Sequence, residues 1–284
     1  MRWYTAREKE LHEVCALLRS REWACVAFSE RLLREGRLQL PPRVRERIIY
    51  YRDEDQRVAG AILQTISGVL LPCLPRQQWQ PRLTTQLAER LRRGSLSNAM
   101  IMGAGADVRL LESLLPRRPT HTVDYLLMVR ERLQPETAAA ADWFQIRRAD
   151  QTDSERLAPL QLCYEIEEVL LPGRTINSAA TLRGLRARLR TQQTYLAHID
   201  GEPIAMAGTN ARGFSYDQVG GVFTLKEYRN RGVSRALMAE LTRTSCEAQR
   251  RLSLFVKPSN QAAIHIYKQM GFVTRDSFRI SYYN

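Results

Sequence analysis

Residues 220–237, GGVFTLKEYRNRGVSRAL, constrain this chain more than any other segment. An apolar strand pattern runs into Arg229-Asn230-Arg231-Gly232-Val233-Ser234, and a helical pattern begins at once. A glycine at a strand-to-helix turn lets a ligand approach the backbone closely. The first turn of a helix offers N–H groups without internal acceptors and the positive end of its dipole. Together they make a cradle for a pyrophosphate, to which Arg229, Arg231 and Arg235 add charge. By itself the hexapeptide reads equally well as a solvated basic loop capping a helix.

The elements around it predict a mixed α/β fold. Residues 144–148 read as a strand, 152–171 and 177–191 as helices, and 195–199 and 204–210 as a hairpin turning at Asp200-Gly201. Leu182, Leu185 and Leu189 recur at helical spacing. Residues 216–224 form a strand, 233–248 a helix, 252–256 a strand and 260–270 a helix, and 272–283 close with one or two strands. The order βααβββαβαβ is that of a mixed α/β domain.

The downstream segment, residues 252–272, reads LSLFVKPSNQAAIHIYKQMGF. With the glycine turn before it, it resembles the GNAT superfamily of acyl-CoA N-acyltransferases. The family's phosphate motif, Arg/Gln-x-x-Gly-x-Gly/Ala, stands here as Arg229-x-x-Gly232-x-Ser234, with Ser234 the departure. GVFTLKEYR resembles the family's GVYTPPEYR form. Asn260, Ala263, Tyr267, Gly271 and Phe272 fall where the family has them. The resemblance covers residues 144–284 and is most specific over 220–272.

It implies an acetyl-CoA-dependent N-acetyltransferase, in which an amine attacks directly within a ternary complex. Val222, Phe223 and Thr224 would pair with the pantetheine arm, as a strand pairs with an added strand, and an N–H there would polarise the thioester carbonyl. Asn230, Arg231, Gly232, Val233, Ser234 and Arg235 would wrap the pyrophosphate. Asn260 would contact the pantetheine; its simpler reading is a helix N-cap after Pro258-Ser259. Tyr267 would protonate the departing thiolate, although on spacing alone it is a core aromatic. The family's usual glutamate base has no counterpart, because the corresponding positions hold Gln218 and Phe255. Asp217 alternates to the other face. Glu165, Glu167 and Glu168 lie on the first helix of this half, and the base stays unassigned.

The excess of 43 Lys+Arg over 30 Asp+Glu is spread along the chain, with +7 in residues 144–284 and +6 in the rest. Only Lys9, Lys226, Lys257 and Lys268 are lysines. Such a field suits a polyanion, but no nucleic-acid motif accompanies it. Two further readings therefore stay open: a CoA-binding regulatory module without turnover, and a basic nucleic-acid-associated protein. Arg183, Arg186 and Arg190 line one helix face, as solvated surface or as contacts for an acidic acceptor. Five scattered cysteines and unclustered histidines argue against a disulfide framework or a metal site, and fit a reducing cytoplasm. The charged N-terminal residues carry no signal-peptide core. The uncharged run 58–75 reads as buried strands.

Residues 131–143 read as a linker, with a short helix over 137–143. Before it, residues 1–130 repeat the later part of the same order: strands at 47–51, 58–65 and 69–74, a helix at 80–93, a strand at 98–102, a helix at 107–115 and a strand at 122–129. This predicts a degenerate GNAT-like copy in front of a catalytic domain at 144–284. Its expected phosphate turn, Pro75-Arg76-Gln77-Gln78-Trp79-Gln80-Pro81, has no glycine, and Trp79 and Pro81 would crowd a pyrophosphate. One CoA per chain is expected. Gly103-Ala104-Gly105-Ala106-Asp107 resembles a dinucleotide loop, but Val108 stands where its third glycine belongs.

Overall fold

The computed structural model describes residues 2–41, 46–75, 79–93, 99–135 and 142–283. The first series of elements is β1 (Trp3–Thr5), α1 (Leu11–Ser20), α2 (Glu22–Arg31), a minimal hairpin of β2 (Leu33–Arg34) and β3 (Arg37–Leu38), β4 (Arg47–Arg52), β5 (Val58–Gln64), β6 (Val69–Cys73), α3 (Pro81–Arg93), β7 (Met100–Ala104), α4 (Gly105–Leu114) and β8 (His121–Arg130). The second is β9 (Gln145–Arg148), α5 (Ser154–Tyr164), α6 (Ser178–Thr191), β10 (Thr194–Ile199), β11 (Glu202–Arg212), β12 (Tyr216–Thr224), α7 (Val233–Glu247), β13 (Arg251–Val256), α8 (Gln261–Gln269) and β14 (Val273–Tyr282). Apart from the small hairpin, the two series have the same order. The duplication therefore includes α1 and α2, which the sequence reading does not place.

Helix α1 buries Leu11, Val14, Cys15, Leu17 and Leu18, a stripe at helical spacing. Helix α2 is harder to read. Its backbone kinks at Cys25, and its buried face includes Glu22 and Ser29, whose hydroxyl donates to the Glu22 carboxylate at 2.8 Å. The expected helix at 137–143 lies mostly outside the described residues, as does Arg76.

The chain divides into two compact units, and the division is not linear. The first comprises Met1–Val129, Phe255–Gln261 and Thr274–Asn284; the second comprises Arg130–Leu254 and Ala262–Val273. In the first unit the strands lie in the order β1-β4-β5-β6-β7-β14-β8. Neighbours from β1 to β6 are antiparallel, β6 and β7 are parallel through Leu70↔Ile101, and β14 runs antiparallel to β7 with Ile280 opposite Met102. The last strand of the second series is thus part of the first unit. Leu83, Leu87 and Leu91 of α3 and Val108 and Leu111 of α4 pack on Ile49, Ile62, Leu70 and Ile101.

The end of β6 in this unit is closed by the chain itself. Pairing with β7 stops at Leu70↔Ile101, and the backbone N–H of Leu74 donates to Asp107 Oδ2 at 2.9 Å. Trp79 stacks on Trp3, with centroids 6.3 Å apart, and meets Tyr51 edge-on at 5.3 Å. A Cβ on Gly105 would lie 2.3 Å from Ser277 Oγ, so side chains of the unit already fill the space around that loop.

Asp107 is buried, and desolvation pushes its carboxyl up to about 6, against the opposing pull of Arg21 and of the Leu74 N–H. A carboxyl raised on folding binds more protons in the native state than in the unfolded one. Stability therefore falls as pH rises from about 4 to about 6, by roughly 3 kcal/mol. Asp107→Asn keeps an acceptor for the Leu74 N–H without the charge. Urea titrations across that range are expected to show a flatter pH dependence for the variant.

In the second unit the strand order is β13-β12-β11-β10-β9. Leu157 and Leu160 of α5 and Leu185 and Leu189 of α6 pack on Leu196, Met206 and Phe223. This layer fixes α5 and α6 over β12, the strand that runs into the Gly232 turn.

Candidate active site

Strands β12 and β13 are parallel and pair from Tyr216↔Arg251 to Val219↔Leu254, where the pairing ends. On its other edge β12 remains paired with β11 to its last residue, through Met206↔Phe223 and Ala205↔Thr224. A register shift lies between, and Gly221 takes φ +63° there. Such a bulge bends a strand and ends its pairing on one side. The backbone of residues 220–223 is thus left without a β13 partner, as a strand-like ligand requires, while the Thr224 carbonyl accepts from Arg229. Val222 is partly buried, and Phe223 and Thr224 are buried.

Residues Lys226–Tyr228 make a 3-10 turn, Asn230 takes φ +60°, and Gly232 takes φ +81° at the N-cap of α7. No side chain caps this helix end. A Cβ placed on Gly232 meets nothing within 4 Å. Val233 is buried, whereas Asn230, Arg231, Gly232 and Arg235 are exposed. Thr224 and Ser234 share a hydroxyl hydrogen bond of 2.8 Å that ties the strand end to the first helical turn.

The arginines differ in their surroundings. Arg229 donates to the Thr224 carbonyl at 2.9 Å and to Glu167 at 2.9 Å, and covers the Phe223 ring at 5.3 Å. In this structure it buttresses the turn. Arg231 lies over Trp143 at 5.8 Å, and Trp143 in turn stacks on Tyr228. Asn260 immediately precedes α8, in the segment grouped with the first unit.

Tyr267 on α8 is buried, with its ring 5.9 Å from that of Phe272. Its hydroxyl has no hydrogen-bond partner among the described residues. Burial pushes its pKa well above the usual value for a phenol, and Tyr164 and Glu168 reinforce the shift. Tyr164 is likewise raised by burial; its hydroxyl is hydrogen-bonded to the backbone of Gly221, and its ring meets Phe223 edge-on at 6.2 Å.

Helices α5 and α6 and the residues joining them form an open cavity of about 500 Å³, lined among others by Gln161, Glu165, Thr181 and Arg188. Glu165 accepts from the Thr181 hydroxyl and from Gln161 Nε2, and Arg188 Nη2 donates to Gln161 Oε1 at 2.8 Å. Glu165 stands in a stretch of π-helix, Glu165–Val169, that widens the end of α5.

The sequence profile of the acetyltransferase (GNAT) family matches residues 160–272, which hold the bulged strand, the glycine turn and Tyr267. Residues 160–272 are a GNAT domain. Solved structures share the fold over nearly the whole chain. A Drosophila protein aligns at a TM-score of 0.70 with 16% identity, covering 99% of this chain and 98% of its own. A tandem GNAT protein from the clavulanic acid biosynthesis pathway aligns at 0.56 with 11% identity, covering 99% and 97%. A GNAT-family acetyltransferase from Colwellia psychrerythraea aligns at 0.56 with 11% identity, covering 100% of both. No curated protein sequence matches the chain.

Within the GNAT domain the carboxylates separate clearly. Asp217 is fully buried and held by Arg250 at 2.7 Å and Arg212 at 3.3 Å. Glu167 is tied to Arg229. Glu165 faces the cavity, and Glu168 lies within electrostatic reach of both tyrosines. Phe255 belongs to an aromatic stack with Tyr125 and Phe278. Arg183, Arg186 and Arg190 are exposed, and Arg186 pairs with Glu155.

Sequence reading misses Tyr164, Gln161 and Arg188. The signal for Arg188 lies in the register, because it is three residues after Leu185 and next to Leu189, on the buried side of α6. Among the described residues no helix is long and apolar enough to cross a membrane, and no group of three or more His, Cys, Asp or Glu is placed to hold a metal ion.

Proposed function

We propose that the chain is an acetyl-CoA-dependent N-acetyltransferase with one catalytic site, in the second unit. The observation that carries this reading is the divergence of β12 from β13 directly before the left-handed Gly232 turn. The unpaired edge of residues 220–223 would receive the pantetheine arm, and the N–H groups opening α7 would receive the pyrophosphate. The open space at Gly232 fits a phosphate group.

In the reaction the lone pair of a neutral amine forms the N–C bond at the thioester carbonyl. A backbone N–H of β12 steadies the oxyanion, the C–S bond breaks, and its electrons leave on sulfur. Tyr267 donates its proton to that sulfur, and the proton shed by the new amide nitrogen restores the phenol through water. Glu165 or Glu168 would take a proton from the incoming ammonium; Glu165 lines the cavity and Glu168 acts electrostatically on both tyrosines. No covalent enzyme intermediate is involved.

The first unit serves as a scaffold without a CoA site. Its β6 end offers no free N–H at Leu74, and α3 opens with Pro81, which has none. Calorimetric titration of the full chain with acetyl-CoA is expected to give a stoichiometry near one, and thiol release with a panel of amines is expected to show turnover. Two equivalent sites would overturn the assignment of the first unit; absence of binding would overturn the reading as a whole.

A further inference from the structure

Arg188 is an unusual residue for the floor of a cavity. Its helix position places it beside Leu185 and Leu189, and partial burial pulls its pKa down, against the opposing pull of Tyr164 and Glu165. Its partners are neutral: Gln161 Oε1 at 2.8 Å and Met206 Sδ at 3.8 Å. Its Nε is sealed from solvent and has no acceptor among the described residues. Elsewhere in this unit Arg250 meets the Asp217 carboxylate at 2.7 Å, and the fully buried Arg130 donates to backbone carbonyls, as to Met270 at 2.9 Å.

Glu165 lies in the same cavity but does not neutralise Arg188 by contact. The Gln161 amide stands between them, accepting from Arg188 and donating to Glu165 at 2.9 Å. The second Glu165 oxygen is taken by Thr181. The cavity therefore presents a cation whose hydrogen-bond partners are neutral and, one amide away, a carboxylate. The guanidinium also lies against the bulge of β12, since a Cβ on Gly221 would sit 2.7 Å from Arg188 Nη1.

We propose that the acceptor is a small amino-carboxylate, whose carboxylate is bound by Arg188 at the base of this cavity while its amine faces the bulge at Gly221. This rests on the acetyltransferase reading of the same site. A planar guanidinium whose partners are neutral matches a carboxylate, and a partly buried cation gains from such a partner. The ammonium form of the same molecule meets Glu165, which takes a proton and leaves the neutral amine. That amine forms the N–C bond as the C–S bond breaks, giving an N-acetyl amino-carboxylate and free CoA thiol. The short distance from Arg188 to Gly221 calls for an amine close to the carboxylate, as in an α-amino acid.

The test uses the full chain and a panel of free amino acids, each paired with its carboxamide and its decarboxylated amine. Thiol release is followed for each, and acetyl-CoA binding is measured separately by calorimetry. The free acids are expected to exceed their counterparts in kcat/KM by roughly 10- to 100-fold, the loss typical of one charge-assisted contact. Arg188→Met, which keeps the apolar stem, is expected to collapse that preference mainly through KM, with Arg188→Lys retaining part of it. The wild-type comparison stands even where the methionine variant folds poorly. Equal rates across the pairs, or no turnover of any free acid while acetyl-CoA binds, overturn the inference and leave the CoA site standing. Failure of acetyl-CoA to bind overturns the acetyltransferase reading, and the inference falls with it.

Discussion

Gly232→Glu is expected to abolish acetyl-CoA binding while leaving the fold in place. Gly232 takes φ +81°, a conformation that costs any other residue about 1–2 kcal/mol. That strain alone weakens the turn without removing it, because a Cβ there meets no atom within 4 Å. The decisive effect is electrostatic. The new carboxylate would occupy the mouth of the N–H groups opening α7 and set a negative charge against the pyrophosphate. Like charges brought together at a binding surface cost several kcal/mol, so affinity is expected to fall roughly 10³-fold or more. Gly232→Ala separates the two effects, carrying the backbone strain without the charge, and is expected to lose less than about tenfold. Calorimetry on the three proteins, beside a thermal melt to show that each is folded, checks this. Wild-type affinity in the glutamate variant removes the basis of the CoA-site assignment.

What the sequence reveals and what it hides follow from how each feature is encoded. The glycine turn is readable because a left-handed residue between an apolar strand and a helix leaves a local mark. The strands around it are readable for the same reason, since alternation and turn residues are local. The exchange of β14 into the first unit is not, because the pairing of Ile280 with Met102 is decided across most of the chain length and leaves no period in either strand. The closure of the first unit is half visible. The missing glycine between Pro75 and Pro81 and the presence of Trp79 are in the sequence, but the Asp107 carboxylate on the Leu74 N–H is a long-range contact, and its GAGAD context reads locally as a loop motif. In α6 the leucine stripe draws attention to the outward arginines. Arg188 is the one at core register, and its meaning emerges only with Gln161 and Gly221 beside it.

The same physical step separates the two halves. In both, two parallel strands stop pairing early, at Leu70↔Ile101 in one and Val219↔Leu254 in the other. In the first unit a side-chain carboxylate takes the Leu74 donor beyond that point, and a proline opens the next helix. In the second, a bulge and a left-handed glycine keep backbone donors exposed and aligned. Under the proposed function, few changes separate a unit that binds CoA from one that keeps the core alone.

Tyr267→Phe is expected to leave acetyl-CoA affinity and folding nearly intact and to lower turnover by roughly 10²- to 10⁴-fold, the range for a lost general acid. The phenyl ring keeps its packing beside Phe272, and because the Tyr267 hydroxyl has no protein partner among the described residues, its removal orphans no buried group. Stability is therefore expected to change by less than about 1 kcal/mol. The chemistry is different. A thiolate leaving group needs a proton donor, and burial with Tyr164 and Glu168 nearby keeps this phenol protonated well above the pH at which a free phenol ionises. A group whose pKa is raised loses its proton only as pH climbs through the raised value. No alkaline fall in activity below about pH 10 should therefore come from Tyr267. Single-turnover measurement isolates the acyl-transfer step from product release. A wild-type single-turnover rate in the phenylalanine variant would make Tyr267 a packing residue and pass the proton to solvent. A rate lowered by the expected factor, with unchanged CoA binding and an unchanged melt, assigns the phenol to the sulfur.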